Sequence, residues 1–460
     1  IYSWRGAQYQ NILRFEDDFP GAKVVTLEQN YRSTNLILQA SNALIEHNSA
    51  RYEKKLWSIH GDGEKIGLFI ASTERGEAEF VAGRIVKHAA DYSLDEIAIF
   101  YRTNAQSRAF EDALLKLGIR YKIIGGLSFY ARREIKDVLA FLRLVVSGSD
   151  LISFLRTINL PKRGFGAASL EKLMAAAEEA KVPILPFCQD VLANATPLKL
   201  SAKQQTGLAS YLKLIHTLRD KLSFLKIHEL LTEVISESGY LNFLREDPET
   251  FEDRKENLDE LIGKAAEWEE EHEKPSLQQF LEELSLRSSA DETSHLPTVK
   301  LMTLHNSKGL EFPVVFLVGL EENLCPHINS KDQPESLEEE RRLCYVGMTR
   351  AKKILCLTAS SYRFFWGTPQ PMRPSRFLKE IPAEYLRNLS PSSFQSTESD
   401  NAEAFSPGEK VHHQQFGVGV VERCFETSFG LTYEIHFLEA DITRSIVARF
   451  AKLQPYHENS

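Results

Sequence analysis

Two arginines stand where a guanidinium could act on a phosphate. Arg32 follows Tyr31 in LEQNYRST (residues 27–34), and Arg350 closes EEERRLCYVGMTRA (338–351) just ahead of an apolar run. The Tyr31 ring could stack on a nucleobase while the next side chain reaches a phosphate. Taken alone, that segment is read more simply as a surface Arg beside a half-buried Tyr. An arginine delivered across a domain interface can stabilise charge on a transferring γ-phosphoryl group, although Arg350 could equally bond the last carbonyls of its own helix. Between them in sequence lies TLHNSKGLEF (303–312), directly after an apolar strand. It puts His305, Lys308 and Glu311 at the carboxyl end of that strand, where open α/β sheets bind ligands, and Gly309 permits a close backbone approach.

Two further segments suit nucleic acid. IYSWRGA (1–7) sets Tyr2, Trp4 and Arg5 together; aromatics beside an Arg make a stacking platform for unpaired bases, and packing of the same rings into a core is an equal alternative. NLPKRGFGAAS (159–169) places Lys162 and Arg163 before Gly164 and Gly166 at a helix start. Backbone N–H groups there suit phosphate, and a plain inter-helix turn fits the letters as well.

These residues need a scaffold. LFIAS (68–72), IAIFY (97–101), YKII (121–124), VKLMTL (299–304), VVFLVG (314–319) and ILCLTAS (354–360) read as strands covered on both faces. RAFEDALLKLG (108–118) and 335–353 read as helices between them, with Gly118 as a stop signal. Alternating strands and helices predict a parallel α/β sheet. From 132 to 294 the strand signal vanishes into helical spacing, which predicts an all-helical insertion. A stretch rich in Ser, Pro, Asn and Gln (388–407) reads as a linker. Beyond it LTYEIHF (431–437) alternates, with Leu431, Tyr433, Ile435 and Phe437 on one face of a small all-β module.

Composition bounds the reading. At 460 residues, 43% hydrophobic and 26% charged, the chain is a globular protein of about three domains. The longest apolar stretch, FPVVFLVGL (312–320), falls well short of the ~20 residues that span a bilayer, so no membrane association is expected. The net charge of −9 argues against wholesale coating of nucleic acid and leaves room for a local basic groove. Five scattered Cys (188, 325, 344, 356, 424) without a CxxC argue against a disulfide framework or a zinc site, so no metal site is expected and a cytoplasmic setting fits. The chain opens on Ile1 rather than Met, which reads as a fragment.

In order and spacing these segments resemble the UvrD/PcrA/Rep group of superfamily 1 DNA helicases. IYSWRGA is similar to that family's motif III, LEQNYRST to motif IV, MTLHNSKGLEFPVVFLVGLEENLCPH to motif V and EEERRLCYVGMTRA to motif VI. The resemblance covers residues 1–385, and the tail with GEKVHHQQFGVGVV (408–421) resembles the Tudor-like module of the UvrD and PcrA branches. It implies a RecA-like (P-loop NTPase type) α/β domain interrupted by a helical insertion. The expected division is 1–26 as the end of a first RecA-like domain, 27–131 with 295–387 as the second, 132–294 as the insertion, 388–407 as linker and 408–457 as the Tudor-like module.

The resemblance also implies roles. Tyr31 would stack on adenine, Arg32 and Arg350 would contact the γ-phosphate as the catalytic pair, and Glu311 would bond the ribose. Tyr2, Trp4, Arg5, His305 and His327 would line a single-stranded DNA track, with Arg102 and Asn104 as weaker candidates and Trp366 as a stacking ring. Lys162, Arg163, Gly164 and Gly166 would touch duplex backbone ahead of the fork. The implied activity is ATP-dependent 3′→5′ DNA unwinding in repair or replication. ATP and Mg²⁺ are cofactors of the intact enzyme, and none is expected to bind tightly to this chain alone. Partners would be single-stranded DNA, single-strand/duplex junctions and the N-terminal helicase half. RNA polymerase is a further implied partner of the tail, whose five basic and six acidic residues over 409–457 do not favour a DNA-binding barrel.

No GxxxxGK[ST] occurs in the chain and no DExx carboxylate pair precedes IYSWRGA, so the phosphate cradle and Mg²⁺ carboxylates are expected upstream and the isolated chain is expected to lack ATPase activity. The main alternative is a stand-alone, non-catalytic module that binds DNA or RNA polymerase. A helicase–nuclease subunit ranks last, because about 75 residues of linker and β-module occupy the place of a nuclease domain.

Overall fold

The computed structural model of the chain describes residues 1, 10–49, 54–288, 296–331, 333–365, 367–390, 405–413, 417–427, 430–438, 442–447 and 453–456. Tyr2, Trp4, Arg5 and Trp366 lie outside them. Two units are present, 1–391 and 392–460.

The first unit is organised by a sheet of eight strands: β1 (Ile66–Thr73), β2 (Ile97–Tyr101), β3 (Tyr121–Ile123), β4 (Val299–Thr303), β5 (Phe312–Leu317), β6 (Ala351–Phe365), β7 (Thr368–Pro371) and β8 (Leu386–Asn388). Their order is β8-β1-β6-β5-β2-β4-β3, every neighbour parallel, with β7 added antiparallel on β6. The sequence dictates that burial. Along β2 every residue is inaccessible to solvent. Ala98 and Phe100 pack under helices Asn35–Ile45 and Pro334–Met348, while Ile97, Ile99 and Tyr101 pack under Glu74–His88 and Ser107–Lys116. An apolar run with no polar alternation is what a strand covered on both faces requires. The RecA-like, three-layer α/β expectation holds.

Two boundaries differ from expectation. The helix expected over 335–353 ends at Met348, and residues 351–353 begin β6. The expected linker start, residue 388, is still sheet: β8 pairs with β1, and the Leu389 amide donates to the Leu68 carbonyl at 2.8 Å.

Between the neighbouring parallel strands β3 and β4 the chain leaves the sheet and runs through helices from Arg133–Val146 to Leu277–Ser288. These share one apolar core that includes Phe141, Phe154, Tyr211, Leu231, Trp268 and Phe280. The insertion is tied to the sheet layer by ions as well as by packing. Arg108, 2% exposed, donates to Glu74 at 2.7 Å beside the sheet, and to Glu267 at 2.9 Å and Glu260 on helix Pro248–Glu271. Arg363 on β6 is likewise buried, donating to Glu321 at 2.6 Å and to Glu77 at 2.5 Å. Arg132 bridges Asn257 of the insertion to Ser107 of the sheet layer, both at 2.7 Å.

The second unit is a five-stranded antiparallel sheet ordered Ile442–Val447, Gly430–Phe437, Gly417–Thr427, Lys410–His413, Gln454–Pro455. Val411, Val421, Tyr433, Ile435 and Phe437 form its core. The alternation expected for 431–437 is therefore observed at its last three odd positions, and the small all-β module holds.

Removing one member of a buried ionic cluster strands the others without compensation. Arg108→Ala is expected to cost about 3–5 kcal/mol of stability, read from urea unfolding of the chain at neutral pH. A loss within experimental error of zero contradicts the role given to this seam.

Candidate nucleotide and nucleic-acid sites

Arg32 and Arg350 come from distant parts of the chain and meet at one turn. Residues 30–34 lie against the start of β6: the Ser33 hydroxyl donates to the Ala351 carbonyl at 2.6 Å, and the Thr34 amide to the Lys352 carbonyl at 3.1 Å. Asn30 shapes the approach, its Oδ1 accepting from the amides of Arg32 (2.8 Å) and Ser33 (2.9 Å). The Arg32 guanidinium then reaches Thr349 and Glu311. Its Nη1 donates to the Thr349 carbonyl at 3.3 Å, and its Nε to Glu311 Oε2 at 2.5 Å. Arg350 donates to the carbonyls of Val346 (3.0 Å) and Leu310 (3.4 Å) and to the Thr349 hydroxyl (3.2 Å). Among the described residues no carboxylate lies within ion-pair distance of Arg350.

Glu311 is the centre of charge. Its second oxygen accepts from Lys352 Nζ at 2.8 Å. Hydrogen bonds from Lys352 and Arg32 hold its carboxyl down to about 2, so it is ionised throughout the physiological range. Burial and the neighbouring positive charge of Arg32 lower the pKa of Arg350. Burial is the larger cause of that shift, and the proximity of a second cation adds to it. Gly309 adopts φ +91°, a left-handed conformation in which a side chain would be strained, and so turns the chain from β4 into the segment bearing Glu311.

A groove of about 520 Å³ opens beside this cluster, lined by Tyr31, Arg32, His60, Glu311, Lys352 and Lys353 among others. The Tyr31 side chain is 71% exposed, its hydroxyl donating to Gln29 at 3.0 Å, so its ring is open to stacking. His60 donates to the Tyr31 carbonyl at 2.9 Å. Tyr31, Arg32 and Glu311 are thus brought together in the groove, and Arg350 lies behind them. Lys352 and His60 did not figure among the sequence candidates. The signal for Lys352 was its place two residues after Arg350, hidden because the helix was expected to run through it.

A second cluster forms beyond the carboxyl ends of β2 and β4. Arg102 grips Glu340 through Nε (2.9 Å) and Nη2 (2.7 Å). Glu340 Oε2, which takes the Nε bond, also accepts from the His327 amide at 3.0 Å, and the His327 ring donates to Glu256 of the insertion at 3.2 Å. His305 stands in the turn after β4, where burial first, and then the charge of Arg102, lower its pKa to about 4. Asn104 starts the short 3₁₀ turn after β2. Arg102, His305 and His327 therefore share one charged neighbourhood, in which the Arg102 guanidinium is already paired.

Lys162, Arg163, Gly164 and Gly166 sit elsewhere, in the turn between helices Leu151–Thr157 and Ala167–Ala180. Lys162 is exposed, Gly164 has φ +87°, and Gly166 caps the second helix. Arg163 is turned inward. Its Nη1 donates to the carbonyls of Leu160 (3.0 Å) and Ile158 (3.2 Å), and its guanidinium lies 5.2 Å from the Tyr211 ring. In this conformation Arg163 seals the helix end, and Lys162 is the outward charge.

Residues 25–362 match the model of the UvrD-like helicase C-terminal domain. The ATP-dependent DNA helicase PcrA of Staphylococcus epidermidis is 40% identical over 98% of this chain, and that of Staphylococcus aureus 40% identical over 99%. The chain spans 65% of the length of each of these relatives. No helix among the described residues is long and apolar enough to cross a membrane. With nearly three quarters of its length matched by that family model, the chain belongs to the UvrD-like helicase C-terminal domain family.

Proposed function

We propose that this chain is the second motor half of an ATP-dependent DNA helicase, which supplies the arginine side of the ATP site and part of the DNA track. The observation that carries the reading is the convergence of Arg32 and Arg350 on Thr349 beside an exposed Tyr31. Two guanidinium groups that donate to backbone carbonyls, one of them also paired to a carboxylate, are arranged to receive an oxyanion. A nucleotide whose base stacks on Tyr31 would extend its phosphates towards them, and Glu311 retains lone pairs to accept from a ribose hydroxyl. The cluster offers cations and a single carboxylate that already holds two of them. It suits phosphate oxygens and does not suit Mg²⁺, whose ligands would come from the partner domain together with the phosphate-binding loop.

Hydrolysis in this scheme begins with ATP clamped between the two domains. As charge develops on the γ-phosphoryl oxygens, Arg32 and Arg350 stabilise it from this side, and loss of that charge lets the cleft reopen. The moving body is the sheet with its insertion, so each closure shifts the Arg102–His305–His327 neighbourhood along the strand it contacts, in the 3′→5′ sense. Division into a second RecA-like domain (27–131 with 295–387), an insertion (132–294) that meets duplex through Lys162 and the Gly164–Gly166 turn, and a tail (408–457) that docks RNA polymerase belongs to the same proposal.

In the intact enzyme, Arg32→Ala and Arg350→Ala are each expected to lower ATP turnover by about 10³-fold or more with the protein still folded. Normal turnover in either variant overturns the assignment. Purified alone, the chain is expected to show no Mg²⁺-dependent ATPase; turnover lost on Arg350→Ala would contradict this. His305 is expected to meet DNA uncharged. Because its folded-state pKa lies below the ordinary 6.5, its contribution to stability is complete above that pH and is lost as pH falls towards about 4. A ring titration followed by NMR should show a midpoint near 4, and a midpoint near 6.5 contradicts the burial argument.

A further inference from the structure

We propose that Lys352 is a third cationic ligand for the terminal phosphate of the bound nucleotide, held ready by Glu311 until that phosphate arrives. The inference rests on the nucleotide reading above and extends it to a residue that reading does not use.

Glu311 divides its two oxygens between two cations, Lys352 Nζ at 2.8 Å on one and Arg32 Nε at 2.5 Å on the other. Arg350 stands behind, donating to the carbonyl of Leu310, the residue before Glu311. Two positive side chains pair with Glu311 and a third stands close by, so the cluster carries a surplus of two charges. The other charged residues lining the groove do not remove that surplus. Lys353 lies over the Tyr92 ring at 5.6 Å, and Glu64 faces Arg387 at 4.0 Å. A site with this imbalance, open to solvent, calls for a multiply charged anion.

Geometry favours Lys352 as a participant rather than a bystander. Its backbone is fixed by the bond from the Thr34 amide, and that of Ala351 by the Ser33 hydroxyl, so the segments bearing Arg32 and Lys352 are locked together. Their side chains are not locked: those of Lys352 and Glu311 are 36% and 41% exposed. An ion pair this open adds little to stability, and its lysine is free to exchange one oxyanion for another. A lysine ammonium is a compact charge with three rotatable donors, suited to a phosphate as a point contact. Glu311 thereby acts as a stand-in anion. It keeps Arg32 and Lys352 extended into the groove against mutual repulsion, and yields them when the terminal phosphate enters.

The test compares Lys352→Ala and Lys352→Arg in the intact enzyme, with Arg350→Ala alongside, using ATP turnover and equilibrium titration of ATP and ADP. Lys352→Ala should weaken ATP binding about tenfold and raise KM by more than it lowers kcat. ADP, which lacks the terminal phosphate, should lose less than about twofold, and Lys352→Arg should recover most of the ATP affinity. Equal weakening of ATP and ADP, or an unchanged KM while Arg350→Ala abolishes turnover, overturns the role of Lys352 and leaves the nucleotide reading standing. Full turnover in Arg350→Ala removes the nucleotide reading, and this inference with it.

Discussion

The carboxylate of Glu311 is the constraint on which the site depends. Arg32, Lys352 and Arg350 would repel one another if placed together without it. One ionised side chain, kept so by two direct hydrogen bonds, holds Arg32 and Lys352 together beside Arg350, although Arg32 comes from a distant segment. The arrangement is poised rather than satisfied, because a single negative charge does not neutralise three positive ones. In the proposed reading that imbalance favours an oxyanion, and the exposed Tyr31 ring beside it favours one attached to a base.

The rest of the first unit brings those residues into register. Parallel strands put their carboxyl ends, and the loops that follow them, on one edge. The segments after β2 and β5 therefore lie together, with Arg102 and His327 drawn to the same Glu340. The insertion enters and leaves between neighbouring strands, and buried arginines at 108 and 132 join it to the sheet. Such joints are demanding, since each carboxylate in them must keep its partner. They join the sheet layer directly to the helix Pro248–Glu271.

Much of this was legible in the sequence for identifiable reasons. Continuous apolar runs such as IAIFY mark strands covered on both sides, and the loss of that pattern after residue 132 marks the insertion. What periodicity does not carry is the end of an element. The helix from Pro334 and the strand from Ala351 are separated by two residues, with charged and small side chains compatible with either state, so Lys352 was read as helical and its chemistry overlooked. Pairing partners are invisible for a different reason. That Arg102 meets Glu340 and Arg163 folds back on its own helix end follows from contacts across the fold or from local backbone curvature. A sequence displays an arginine's charge and not what already satisfies it.

The most direct measurement is a crystal structure of the intact enzyme with a non-hydrolysable ATP analogue. The account predicts that Arg32 leaves Glu311 and that Arg32 and Arg350 both come within hydrogen-bonding distance of the terminal phosphate, with the base against Tyr31. A nucleotide bound with Arg32 still paired to Glu311, and with neither arginine near its phosphates, would contradict it.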